Sequence, residues 1–183
     1  EIGLVTGGPF NYEFNSSYSS VVGGNENSFN GSIYCSILGG RENFMVAGQP
    51  VTACTIVGGQ SNEFGTASSN SSIIGGRLNN IIFTTNSSII GGQDNNIINS
   101  LSSVVVGGDF NSVSGASNSV VIGGQNLTAT TDNTVVVPYL QINDYADLTP
   151  RAAAPAAVEG RLYYNSTTNK AQIYDGTTWQ DLW

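Results

Sequence analysis

The sequence predicts an all-β fold: a parallel β-solenoid, or β-roll, of about eight 16-residue coils, followed by a small C-terminal β-hairpin. Three observations predict it. Glycine doublets recur at residues 7–8, 23–24, 39–40, 58–59, 75–76, 91–92, 107–108 and 123–124, with steps of 16, 16, 19, 17, 16, 16 and 16 residues. An apolar pair or triplet precedes seven of these doublets, from Val21 and Val22 to the run ending at Ile122. An asparagine stands four residues past the first glycine in the first seven copies: Asn11, Asn27, Asn43, Asn62, Asn79, Asn95 and Asn111.

Each coil reads as strand, Gly-Gly turn, second short strand, turn. A 16-residue unit is too short for helical-hairpin repeats and lacks the leucines of a leucine-rich repeat. The glycines supply positive φ or close approach. The asparagines tolerate left-handed conformations and, stacked in register, can hydrogen-bond from coil to coil, with Asn79, Asn95 and Asn111 in one such column. In "SVVIGG", Val120 and Ile122 share one face of the strand and Val121 takes the other; Ile73 and Ile74, and Ile89 and Ile90, divide in the same way. We assign Ile74, Ile90, Val106 and Ile122 to the coil core. Two apolar faces require two things to bury against, so a neighbouring copy is expected to cover the second, giving a homotrimer, with a dimer as the alternative.

Three regions follow: residues 1–137 form the repeat solenoid, 138–158 a capping strand and Pro/Ala linker, and 159–183 the C-terminal hairpin element. The stretch 133–142, "NTVVVPYLQI", reads as a strand over the last coil whose pairing Pro138 ends. "LTPRAAAPAAVEG" reads as a linker or extended crossover. "RLYYN" and "AQIYD" read as antiparallel strands, with Asp175 and Gly176 as a turn signal before "TTWQDL".

Composition narrows the function. The net charge is −8 with five Lys and Arg in all, which argues against nucleic acid or an anionic membrane surface as partner. No apolar run is long enough for a membrane span. Histidine is absent, which removes the commonest general base and transition-metal ligand. No cofactor and no metal is expected, and the glycine doublets lack the spacing and carboxylates of calcium-binding nonapeptides. Scattered Asp and Glu show no pairing of the kind glycosidases use. Thr is too sparse within the repeats for an ice-binding face. Glu1 in place of Met reads as a fragment or a processed product.

Two groups of side chains remain. Cys35 and Cys54 each stand four residues before a glycine doublet, hence in one register of successive coils. They read either as a disulfide clamping the 19-residue coil or as two reduced thiols in a column of serines. Aromatic residues concentrate near the C-terminus, where rings beside polar groups suit sugar stacking. The receptor-binding candidates are Tyr164, Tyr174, Asp175, Trp179 and Trp183, while Tyr163 and Trp179 also suit the core of a trimeric tip.

The stretch "NSVVIGG" at residues 118–124 resembles the N-S-V-A-I-G head repeat of trimeric autotransporter adhesins, whose coils form left-handed parallel β-rolls packed as trimers. The other copies depart from it, with Ser72 and Ser88 where that motif has its first Val, and with a longer unit. Similar Gly-Gly repeats occur in phage tail fibres, so this resemblance covers residues 5–137 without separating the two. "GRLYYNSTTNKAQIYDGTTWQDLW", at residues 160–183, is similar to the terminal element of many phage tail-fibre proteins. An adhesin would continue into a coiled-coil stalk and membrane anchor. The resemblance therefore implies a non-enzymatic, homotrimeric virion tail fibre that binds a host surface glycan or protein and joins other tail proteins. A bacterial surface adhesin head is the alternative, and a polysaccharide-degrading tailspike the second alternative.

Overall fold

The computed structural model describes residues 4–46, 50–141, 150–151 and 161–182. They fall into two units, residues 1–139 and 140–183, each with its own sheets.

The first unit is a parallel β-solenoid of about eight coils built on two sheets. Nine strands, from Leu4–Thr6 to Val135–Val136, stack in chain order in the first sheet. Eight strands, from Tyr12–Phe14 to Thr128–Ala129, stack in the second. Every pairing is parallel and links equivalent residues of successive coils, as in Ile73, Ile89, Val105 and Val121. Two further columns of single bridging residues run between the sheets. One is Asn25, Arg41, Gln60, Arg77, Gln93, Asp109 and Gln125; the other is Ser17, Ile33, Thr52, Ser69, Thr85 and Leu101.

The solenoid strands are two or three residues long, so alternation sends the middle or second side chain to one face and its neighbours to the other. The middle residues point inward. Val21, Ile37, Ile56, Ile73, Ile89, Val105 and Val121 from the first sheet meet Phe29, Met45, Phe64, Ile81, Ile97, Val113 and Ala129 from the second, all buried. One coil thus buries one apolar side chain from each sheet. That is too little to order 16 residues, and stability has to come from stacking.

The core lies one residue earlier in each of these strands than the sequence suggests. Ile74, Ile90, Val106 and Ile122 are 45, 42, 36 and 44% exposed, whereas Ile73, Ile89, Val105 and Val121 are fully buried. At Ile74 and Ile90 the cue is that Ser72 and Ser88 share their strand face, which marks it as the solvent face. Val106 and Ile122 share theirs with Val104 and Val120 and face outward because they stack in register on Ile90.

The asparagine column holds the glycine corner. The backbone N–H of Asn79 donates to Asn62 Oδ1 at 3.1 Å, that of Asn95 to Asn79 Oδ1 at 3.1 Å, and that of Asn111 to Asn95 Oδ1 at 3.0 Å. Each side-chain amide also donates forward, Asn79 to the Gly92 carbonyl at 3.2 Å and Asn95 to the Gly108 carbonyl at 3.1 Å. All three asparagines are buried. A buried amide left without partners would be costly, and here both ends of the group are used. The last coil has Leu127 instead. Its N–H still donates to Asn111 Oδ1 at 2.9 Å, and its side chain packs with Val136 against the end of the core.

The second unit is a four-stranded sheet ordered Pro150–Arg151, Leu162–Asn165, Lys170–Tyr174, Trp179–Asp181. The last three strands are antiparallel, matching the hairpin read from sequence. Pro150 and Arg151, read as linker, instead pair parallel to Tyr164 and Asn165 as an edge strand. An edge position tolerates a proline, which has no N–H to donate. The rest of the linker, 142–149 and 152–160, lies outside the described residues.

The glycine doublet separates two effects in one test. Both Gly91 and Gly92 have positive φ, but a Cβ on Gly91 meets nothing, while one on Gly92 collides with the Asn95 amide and the Gly108 carbonyl. Gly91→Ala is expected to cost about 1–2 kcal/mol for its left-handed backbone. Gly92→Ala is expected to cost clearly more, because backbone has to move. Denaturant midpoints of the two variants check the difference, and equal midpoints would refute the packing account.

Candidate interaction surfaces

Stacking multiplies every outward side chain into a column. Val22, Leu38, Val57, Ile74, Ile90, Val106 and Ile122 form an unbroken exposed aliphatic ladder on the outer face of the first sheet. Beside it runs a mostly hydroxyl column, in which Ser72 Oγ and Ser88 Oγ are 2.9 Å apart. No residue of either column is charged, from Leu4 to Ile122, although the chain carries −8.

Cys35 and Cys54 are buried and unbridged. They occupy a column otherwise made of serines, whose side-chain oxygens accept the next coil's N–H, as Ser87 Oγ does from Ser103 at 3.2 Å. Cys35 keeps that role with sulfur: the Cys54 N–H donates to Cys35 Sγ at 3.4 Å. The hydrogen bond with Cys35 and then burial push the Cys54 thiol up, so it stays protonated. Among the described residues, no group of three or more His, Cys, Asp or Glu is placed to hold a metal.

In the C-terminal unit, strand pairing sorts the aromatic residues. Tyr163, Tyr174 and Trp179 lie on one face with Asn165, Lys170, Gln172 and Asp181. Tyr164 lies on the other face with Leu162 and Ile173. The Trp179 indole meets Tyr163 edge-on at 4.7 Å between centroids and Tyr174 at 5.4 Å. Tyr163 is buried, and its hydroxyl donates to Gln172 Oε1 at 2.6 Å and accepts from Asn165 Nδ2 at 3.0 Å. Thus Tyr174 and Trp179 come together, Tyr164 stands apart from them, and Trp183 lies outside the described residues.

Asp175 is a turn former in this geometry. Its Oδ1 accepts from the Thr177 N–H, the Thr177 hydroxyl and the Thr178 N–H, each at 2.8 Å, and its Oδ2 accepts from Gln180 at 2.9 Å. The Thr178 and Thr177 amides hold this exposed carboxyl well below the usual carboxylate range. The Asp-Gly signal in the sequence marked the turn, and the turn consumes the acceptors a ligand would need.

The sequence reading missed one feature. Tyr18 and Tyr34, one coil apart, stack with centroids 5.1 Å apart and planes 13° from parallel. Their 16-residue separation is the signal that would have found them.

No family model matches the chain, and no curated protein sequence matches it. Among solved structures, the polySia-specific acetyltransferase NeuO is similar at 12% identity and a TM-score of 0.30, covering 75% of this chain and 83% of that one. A likeness that shallow carries no argument about activity.

The Asp175 turn sets a pH dependence. A carboxyl whose folded pKa is depressed contributes stability that is complete above its unfolded value, about 3.9, and is lost as pH falls toward the folded value. Melting of the full chain followed by tryptophan fluorescence is expected to show stability lost below about pH 4 in the wild type. Asp175→Asn should flatten part of that acid limb, the Lys170-paired Asp181 accounting for a further share. Identical acid limbs would remove Asp175 from the turn's stability.

Proposed function

We propose that this chain is a structural and receptor-binding segment of a trimeric virion tail fibre, probing a host cell surface by binding and not by turnover. The observation that carries the reading is the charge-free aliphatic ladder from Val22 to Ile122. Copies of a chain carrying −8 repel one another, and a face without charge lets them approach at least cost. Identical solenoids also share one coil rise, about 4.8 Å, so aliphatic ridges of one copy stay in phase with those of another over every coil. A partner of different period would lose phase within a few coils. Three copies around an axis can enclose all three ladders, which is the closed symmetry expected of a homotrimer.

The C-terminal unit supplies the surface for recognition in this reading. Tyr174 and Trp179 offer ring area beside Lys170, Gln172 and Asp181, a mixture suited to a glycan or a polar protein loop. Several trimers on one particle would raise weak single-site binding by multivalency. The similarity of residues 160–183 to tail-fibre terminal elements supports the virion as location and other tail proteins as partners. The "NSVVIGG" stretch favours a second reading, a bacterial surface adhesin head of the same architecture.

Solution mass by light scattering tests the assembly. The wild type is expected near three chains, with the trimer persisting in SDS at room temperature. Ile74→Asp with Ile90→Asp is expected to give a monomer whose β circular dichroism is unchanged, because both side chains are exposed in the single chain. A monomeric wild type, or a trimer indifferent to both aspartates, would refute the ladder as the interface.

A further inference from the structure

The Tyr18–Tyr34 stack belongs to a column that continues through Ala53, Asn70, Asn86, Ser102, Asn118 and Asn133. Backbone bonds hold the first rungs in register: Tyr34 N donates to Ser17 O at 3.0 Å, Ala53 N to Ile33 O at 2.9 Å and Asn70 N to Thr52 O at 3.0 Å. Every residue of this column has positive φ, from 50° at Asn70 to 58° at Asn133. Asparagine is the non-glycine residue that takes this conformation most readily, and it fills four of the eight places. Tyrosine is a poor choice there on backbone grounds. Bulky residues take this φ elsewhere in the solenoid too, as at Leu78 and Phe110, but here two adjacent rungs carry rings that stack on one another.

The geometry leaves one ring face open. Tyr34 is stacked on Tyr18 on one side yet remains 61% exposed. On its other side the next rung of the column is the exposed Ala53, whose side chain is a single methyl, and the rung beyond is the exposed Asn70. Tyr34 and Asn70 are two coil rises apart, roughly 9.6 Å. The gap is floored by Ala53 and flanked by Thr52 and Ser69 of the neighbouring bridge column. A flat ring beneath, hydroxyls at the side and a carboxamide above are the parts that hold a sugar ring. The apolar CH face stacks on the aromatic ring and the hydroxyls exchange hydrogen bonds with the polar rim. Neither flanking column carries a charged side chain over these coils, so an acidic sugar would find no cation.

We propose that the notch between Tyr34 and Asn70 is a binding subsite for a neutral pyranose of a surface glycan, separate from the aromatic face of the C-terminal unit. It rests on the attachment reading for its biological setting, but not for its chemistry. The probes are methyl β-D-glucopyranoside, methyl β-D-galactopyranoside and methyl α-D-mannopyranoside, titrated into the full chain and read by saturation-transfer NMR.

Saturation is expected to reach ring protons on one face of at least one of the three. Tyr34→Ala, a change at an exposed side chain, should weaken that binding about tenfold. Tyr34→Phe should restore it, and Phe110→Ala, at an exposed aromatic residue of another column, should leave it unchanged. No transfer to any of the three in the wild type overturns the proposal, as does wild-type affinity in Tyr34→Ala. A Tyr34→Ala chain of altered oligomeric mass also overturns it, by making the tyrosine pair a contact between copies. Binding lost in Trp179→Ala but kept in Tyr34→Ala moves recognition to the C-terminal unit, overturning the notch while the attachment reading stands. A monomeric wild type that still binds the sugar through Tyr34 would do the reverse.

Discussion

The buried asparagine column is the constraint on which the rest of the solenoid depends. Main-chain pairing alone would let strands of three residues slip, because one Val or Ile resembles the next. The asparagine side chain removes that freedom: its oxygen accepts from the N–H of the next coil's asparagine, and its nitrogen donates to a carbonyl at the adjoining glycine corner. Both groups are buried, so a slip would strand them without partners. The second glycine of each doublet follows from the same arrangement, since the asparagine amide and the next coil's carbonyl occupy the space a side chain would need.

Once phase is held in this way, residue identity acts by column. A serine is unremarkable alone, but serines at one corner of successive coils pass N–H to hydroxyl along the stack. Cys35 enters that series because sulfur can accept the same bond. Single aliphatic residues on a surface mean little, but seven in one line with no charge beside them make a face. Function on such a body is written as departures from the column's default residue, and the two tyrosines in a left-handed column of asparagines are a departure of that kind.

Much of this was legible in the sequence, because a repeat reports its own register. The period, the parallel stacking, the asparagine column and the hairpin at 162–174 all follow from spacing and residue type. Which of two adjacent aliphatics faces inward is where sequence and structure part, at Ile74, Ile90, Val106 and Ile122. Hydrophobicity does not distinguish Ile73 from Ile74; the serine two places before Ile74 does, by strand alternation. The pairing of Pro150 and Arg151 with Tyr164 and Asn165 was not legible, because it is non-local and proline marks a break in any local reading. The sequence marks Asp175 both as a turn former with Gly176 and as a receptor-binding candidate, and its carboxylate is bonded within that turn.

The 19-residue coil shows what this architecture tolerates. Met45 still pairs with Phe64 and Ile33 with Thr52, so the columns on both sides of the added residues keep their phase. The body therefore counts columns and not residues. Length added at that corner is invisible to the stack, which makes it the place where such a rod can vary its sequence, or carry a grafted peptide, without retuning any other coil.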